Sequence, residues 1–338
     1  MSKMSNLSPE AVWQIADTDL LNIIHGGHLR SRLKSVNFYA PSFMYYKTGY
    51  YSSSPADFPT VSITAGNCAL KCGHCGGRVL KTMYPATTPE KLFESCKKLK
   101  LGGAKGCLIS GGCLPDGSVP ISDFVETIGK IKRELGLTVV VHTGIIDFQT
   151  AQALQASGVD TALLDVVGSD ETIREICKMN VTVNEYAHSL EALKKTSINF
   201  VPHVIVGLHY GRLKGELHAL EMISKTKPSA LVIIAFMPIH GTSMQNVQPP
   251  RPIDIARVIV TARMMFPDTP LVLGCMRPKG MHRKDTDILA IRAGVDAIAF
   301  PAEEAIEFAK SQGREVCFSP LCCSQIYSDI RDSTGHTL

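Results

Sequence analysis

The sequence predicts an α/β fold, a closed (β/α)8 barrel of the TIM type. Three observations carry this. Short apolar, β-branched segments recur from residue 59 onward. Stretches of about ten to fifteen residues with helical spacing separate them, the alternation that builds a parallel sheet. Eight such strands in about 245 residues match the size of a closed barrel, with an open six-strand barrel as the alternative.

The elements follow in order. Within an N-terminal extension of residues 1–58, the segments 9–16 and 20–24 predict short helices, with Ser8 as N-cap. An aromatic stretch from Phe38 to Tyr46 reads as a strap packed over the barrel, or as a wall of the active site. The barrel occupies residues 59–303. Its predicted strands are 61–64, 107–110, 138–142, 162–166, 200–206, 231–236, 271–274 and 297–300. Ser122 is the expected cap of a helix carrying Phe124, Val125, Ile128, Ile131 and Leu135. Pro252 opens the helix of Ile255, Val258, Ile259 and Ala262. Two junctions nearly repeat each other, Ala-Ser-Gly-Val-Asp at 156–160 and Arg-Ala-Gly-Val-Asp at 292–296. In each, glycine ends a helix ahead of a strand. Residues 304–338 form a C-terminal helix and a cysteine-bearing tail.

Composition narrows the function. The net charge is only +4, and no Lys/Arg run suggests nucleic-acid binding. Lys97-Lys98 and Lys194-Lys195 read as solvated helix faces. No apolar stretch is long enough to span a membrane. Eleven cysteines without a secretory signal pattern argue for a reducing cytoplasm and for metal chemistry, not for a disulfide framework.

The chemistry concentrates in Thr-Val-Ser-Ile-Thr-Ala-Gly-Asn-Cys-Ala-Leu-Lys-Cys-Gly-His-Cys-Gly-Gly, residues 60–77. An apolar strand runs into a loop with Cys68, Cys72 and Cys75. Three thiolates can hold three irons of a 4Fe-4S cube and leave the fourth iron open to a small molecule, because ordinary clusters take four cysteines. The bland alternative is a structural zinc site. No second C-x2-C knuckle is present to complete one, and the ring of His74, sandwiched between two of the cysteines, would have difficulty reaching the same metal.

Cys-Ala-Leu-Lys-Cys-Gly-His-Cys resembles the signature of the radical S-adenosylmethionine (SAM) enzymes. The resemblance implies a SAM-binding 4Fe-4S cluster on Cys68, Cys72 and Cys75. It further implies reductive cleavage of SAM to methionine and a 5′-deoxyadenosyl radical. His74 fits the place where backbone contacts adenine. Gly111-Gly112 resembles the glycine pair at the methionine end of SAM, although Cys113 stands where the family often has Glu. By the same resemblance Asp165 contacts ribose, and Gly207, Met237 and Pro238 line the adenine site. His142, His203 and His240 are further candidates for lining the cavity.

Cys317, Cys322 and Cys323 cluster in the tail, and Cys113 and Cys275 follow predicted strands. A tail folding over the barrel mouth would gather them as ligands of a second, auxiliary 4Fe-4S cluster. Cys96 and Cys177 read as packing residues. Arg277 matches, by resemblance to biotin synthase, an arginine ligand of that cluster; anchoring a carboxylate is the alternative. From Asn37 to Cys323 the chain is similar to the biotin-synthase-like branch. Within it, the chain is closest to a subunit of the archaeal-type two-component lipoyl synthases. That resemblance implies sulfur insertion at C6 and C8 of an octanoyl-lysine on a lipoyl-carrier protein. The expected partners are a homologous radical SAM subunit and an electron donor such as ferredoxin or flavodoxin, with no nucleic acid and no membrane. The competing expectations are a single-cluster rearrangement or methylation enzyme and a non-catalytic metal-binding scaffold.

Overall fold

The structure, a computed structural model, describes residues 7–27, 29, 31 and 33–334. The outermost parts of the expected extension and tail, residues 1–6 and 335–338, lie outside the described residues. The eight expected strands are present, each within two residues of its predicted ends, and three more join them. In chain order the strands are β1 Ser35–Tyr39, β2 Thr60–Ser62, β3 Tyr84–Pro85, β4 Gly106–Ser110, β5 Thr138–His142, β6 Thr161–Asp165, β7 Phe200–Val206, β8 Leu231–Ala235, β9 Leu271–Leu273, β10 Ala297–Ala299 and β11 Glu315–Ser319. All pair in parallel in the order β11-β1-β10-β9-β8-β7-β6-β5-β4-β2-β3. The sheet is curled and open, ending at β11 and β3 instead of closing on itself.

Residues 35–39, expected in the covering extension, are a strand of the sheet itself. β1 lies between β10 and β11, with Asn37 opposite both Ala297 and Cys317. The rest of the aromatic stretch packs where β10 ends. Phe43 and Tyr46 lie 5.5 and 5.9 Å from the Phe300 ring, and Tyr46 donates its hydroxyl to the Pro301 carbonyl.

Strand alternation sorts the core into two layers. Val139, Val141, Ala162, Leu164, Leu231, Ile233, Leu271 and Leu273 face the helices. Val140, Leu163, Val201, Val232, Ile234, Val272, Ala297 and Ala299 face the concave side. The tail fills much of that side. Cys322 through Tyr327 are all buried. Gln325 donates to the Thr161 hydroxyl, and the Tyr327 hydroxyl meets both Thr161 and the Asp160 carbonyl. The tail therefore runs from the end of β11 inside the concavity to the start of β6, and does not simply cover the mouth.

Local sequence explains the helix ends. Ser8 caps Pro9–Gln14 by accepting from Ala11, and Pro252 is the first residue of Pro252–Met265. Ser122 makes no cap bond. It lies inside a 3-10 turn, Ser122–Phe124, that leads into the helix Val125–Lys130. The expected single helix then widens to a π-turn over Ile131–Leu135 and stops at Gly136, φ 61°.

The repeated junctions have a shared purpose beyond ending helices at Gly158 and Gly294, φ 79° and 87°. Asp160 accepts from Val139 N at 2.6 Å and Lys132 Nζ at 2.5 Å. Asp296 accepts from Leu271 N at 2.8 Å and Arg263 Nη2 at 2.5 Å. Each aspartate ties the neighbouring strand to a cation from the helix before that strand.

Candidate active site

β2 delivers the chain to the cysteine loop, and the loop's path is held by backbone and by Thr64. The Thr64 hydroxyl donates to the Asn67 carbonyl at 2.9 Å and accepts from Gly112 N at 2.6 Å. Ala69 N donates to the Cys113 carbonyl, and Gly73 N to the Ile176 carbonyl at 2.7 Å. The Cys72 thiol donates to the Cys177 carbonyl at 3.2 Å. Ile176 and Cys177 end a π-turn, Ile173–Cys177, a geometry that frees carbonyls from the helical ladder. Ala65 and Lys71 sit at φ 52° and 49°, left-handed backbone that non-glycine residues rarely adopt and that collects at functional sites.

Cys72, His74 and Cys75 bring their ligand atoms within 4.8 Å of one another. His74 is thus turned toward the cysteines, against the expectation from its place in the sequence. Its Nδ1 is buried without a hydrogen-bond partner. Cys75 is pushed down to about 4, first by its contact with the Cys72 thiol and then by His74, with burial opposing. Cys72 is pushed up by the same contact. Burial lowers His74, but the Cys75 contact and the Asp165 charge outweigh it and raise its pKa. A loop that holds thiols this close and leaves a buried nitrogen unsatisfied fits a bound cationic metal centre. Cys68 lies outside that 4.8 Å group; its Cβ packs against Gly112, and it is within electrostatic reach of Cys72.

Gly112 serves this loop. A β-carbon there would lie 1.9 Å from the Asn67 carbonyl oxygen and 2.6 Å from Cys68 Cα. Its N–H is already given to Thr64, so the close approach that demands glycine is to the cysteine loop. At Gly111 a β-carbon would meet only side-chain atoms of Ile63 and Thr64, at 3.0 Å or more. Met237 and Pro238 open the loop after β8, and that loop reaches the same place. Ser243 donates to the Gly73 carbonyl, and Met244 lies against Gly73. Gly207, φ 73°, is a buried turn residue whose N–H goes to Glu216 Oε1.

His142, Asp165 and His203 end or cross β5, β6 and β7 on the concave face, one alternation above Val140, Leu163 and Val201. His142 Nε2 is 3.5 Å from Asp165 Oδ1, and the two imidazole rings are 6.0 Å apart. Burial pushes Asp165 up, yet His142, His203 and His74 hold it at about 2. Burial pushes His203 down to about 4, whereas Asp165 raises His142 against burial. The Asp165 side chain keeps 39% of its surface accessible from the concavity. His240, in the loop after β8, is exposed.

The five remaining candidate ligands separate. Cys275, Cys322 and Cys323 share the concave core within electrostatic reach of one another, and Cys322 also senses His142. Cys322 is lowered to about 7, first by its hydrogen bond with Cys323. Cys113 sits instead with Cys68, Asp165 and Cys75, its thiol pushed up to about 12 by burial. Cys317 is exposed on the edge strand β11. Arg277 is fully buried and cannot serve as a ligand, because all five of its N–H groups are used. They go to both oxygens of Asp287 and to the Gly274, Ala299 and Phe300 carbonyls. The carboxylate it anchors is the protein's own.

Glu171, Glu175 and His209 also converge within 4.8 Å, the one other such group among the described residues. Lys214 binds Glu171 and Thr172 binds His209 Nδ1, so these contacts fasten the loop after β7 to the turn after β6. Sequence reasoning missed Thr64, the Cys177 carbonyl and the Asp287 partner. Only Thr64 carried a local signal, a hydroxyl at the end of the strand entering the cysteine loop.

Residues 62–211 match the radical SAM superfamily model. Biotin synthase of Leptospira biflexa is 29% identical over 221 residues, 64% of this chain and 62% of that protein, so the match spans less than two thirds of that relative. Biotin synthase of Neorickettsia sennetsu is 25% identical over 261 residues, 74% of this chain and 77% of that one. Among solved structures, HydG, a maturase of the FeFe-hydrogenase, aligns with TM-score 0.65 and 16% identity over 96% of this chain and 74% of its own. Methylornithine synthase (PylB) aligns with TM-score 0.57 and 16% identity over 96% and 99%. These structures share the fold. No helix among the described residues is long and apolar enough to cross a membrane.

Proposed function

We propose that this radical SAM enzyme of the biotin-synthase-like branch inserts sulfur, as one subunit of a two-component lipoyl synthase acting on an octanoylated carrier protein. When bound, a 4Fe-4S cluster on Cys68, Cys72 and Cys75 would offer an open iron to SAM and an electron for its cleavage. The chain's own part is to position and to exclude water. The cysteine loop, the β8 loop and Gly207 enclose one end of the concavity, and Asp165 offers a fixed anion to polar groups of SAM. An unactivated C–H bond has no acidic proton, so the groups around it need only hold the acyl chain still.

The observation that carries sulfur insertion is Cys275, Cys322 and Cys323 together in the concave core, with Cys322 in electrostatic reach of His142. They would hold an auxiliary cluster as the sulfur source. The test is iron and acid-labile sulfide per chain after anaerobic reconstitution, in wild type and Cys322→Ala/Cys323→Ala. About eight irons falling to about four supports two clusters, and an octanoyl-lysine peptide is then the substrate to assay. About four irons in both proteins sinks the reading.

A single-cluster radical reaction is the second reading. It draws on the separation of Cys113 and Cys317 from the other three, which leaves no set of four cysteines. A zinc-loaded protein yielding no 5′-deoxyadenosine from SAM under reduction would defeat both readings and leave a scaffold.

A further inference from the structure

We propose that the imidazole of His142 is the fourth protein ligand of the auxiliary cluster, bound through Nδ1, with Cys275, Cys322 and Cys323 as the other three. The proposal deepens the function above and rests on its reading of those three cysteines as a cluster site.

Three thiolates leave one iron of a cube without a protein ligand. No further cysteine is placed to take it. Cys113 sits with Cys68 and Cys75, and Cys317 is exposed on β11. Cys96, Cys107 and Cys177 belong to the helix-facing layer, where the Cys96 and Cys107 sulfurs meet at 4.0 Å. The fourth ligand must therefore be another residue type, and imidazole is the one that iron–sulfur centres accept in place of thiolate.

His142 is the imidazole in position. Val140 belongs to the concave layer that holds the three cysteines, and His142 is the next residue of β5 on that side. Cys322 and His142 lie within electrostatic reach of one another. The two ring nitrogens are used unequally. Nε2 lies 3.5 Å from Asp165 Oδ1. Nδ1 has no hydrogen-bond partner among the described residues. A carboxylate beside one nitrogen fixes the tautomer and turns the other nitrogen to a metal, the common setting of a ligating histidine. His203 on β7 is engaged differently, its Nδ1 lying 3.1 Å from the Val201 carbonyl.

The tail holds its own side of the site. The fully buried Ser324 hydroxyl donates to Cys322 Sγ at 3.2 Å. Gln325 and Tyr327 fasten to Thr161, the first residue of the strand that ends in Asp165. One strand thus carries both the anchor of the tail and the carboxylate beside His142. Charge also favours a neutral ligand. Arg277 is already matched by both oxygens of Asp287, so it does not offset a thiolate. Imidazole in place of a fourth thiolate lowers the negative charge to be buried by one, and holds the cluster at a higher potential.

The experiment uses the full chain with Cys68→Ala/Cys72→Ala/Cys75→Ala, so that only the auxiliary site fills on anaerobic reconstitution, grown with isotope-labelled histidine. Expected are about four irons per chain. After dithionite reduction, pulsed EPR shows the strong coupling of one directly bound histidine nitrogen. In this background His142→Cys keeps about four irons, abolishes the coupling and moves the midpoint potential to more negative values. His142→Ala lowers iron to about three or fewer per chain, and His203→Ala leaves the coupling in place. A filled cluster without nitrogen coupling overturns the assignment, as does coupling that survives His142→Cys or disappears in His203→Ala. Equal iron loss in His142→Cys and His142→Ala marks a histidine that only supports the fold, and overturns it too. A wild type with about four irons, and a triple variant with none, fails one step earlier, at the auxiliary-cluster reading itself.

Discussion

Gly112 lies directly behind Cys68, so close that a β-carbon on the glycine would fall 2.6 Å from both Cα and Cβ of the cysteine. The strand-end glycine and the first cysteine of the loop form one packed unit. Gly112→Ala must push the cysteine loop away, since the obstruction is backbone. The expected result is loss of most bound iron and of SAM cleavage. Gly111→Ala, which meets only side-chain atoms, retains iron near the wild-type level. Iron per chain after reconstitution separates the two.

The two junction aspartates predict unequal costs. Asp296 and Arg263 are 0% and 6% exposed, whereas Asp160 and Lys132 are 32% and 21% exposed. Asp296→Ala strands a buried guanidinium and costs about 3–5 kcal/mol. Asp160→Ala leaves a lysine that can reach water and costs about 1–2 kcal/mol. Denaturant midpoints give both values.

Glu216 sets a pH dependence. It is 4% exposed, and burial raises its carboxyl to about 7, with the Gly207 and Lys214 N–H groups opposing. The folded chain therefore binds a proton that the unfolded chain releases near the ordinary glutamate value. Stability falls as pH rises through that window and levels off above about 7, a total of about 3 kcal/mol at most. Glu216→Gln removes this slope. Urea unfolding at pH 5 and pH 8 measures it.

Cys317 and Cys322 part company on substitution. Cys317→Ser, on an exposed edge strand, leaves iron and sulfide at the wild-type level. Cys322→Ala, in the concave core, lowers both by up to about half. The outcome that contradicts this placement is iron loss from Cys317→Ser.

Local chemistry made most of the fold readable. An apolar, β-branched run like Val139-Val140-Val141 of β5 is absent from β3 and β11, whose two and five residues pair only because the neighbouring strand is already there. Tyr84-Pro85 and Glu315–Ser319 carry little strand signal of their own. Asn37 in β1 hides its strand among aromatic residues for the same reason. At the site, the spacing of Cys68, Cys72 and Cys75 is a local signal, whereas the gathering of Cys72 and Cys75 with the His74 ring is set by the fold of the loop. The union of Cys275 with Cys322 and Cys323, and the exclusion of Cys113 and Cys317, depend on which face of which strand each residue meets. The π-turn that frees the Cys177 carbonyl has no sequence signature, and the Arg277–Asp287 pair is set by how helix Met281–Arg292 packs back on the sheet.

The place of β1 governs when this molecule can finish folding. Asn37 waits for Ala297, 260 residues later, and then for Cys317. On a ribosome adding about 5–20 residues per second, that strand stays unpaired for about 13–50 s while β2 to β9 can already assemble. Until β10 and β11 emerge, the nascent sheet has a raw edge at β9 and an unclaimed strand at its start, the kind of surface that chaperones bind and that aggregation exploits.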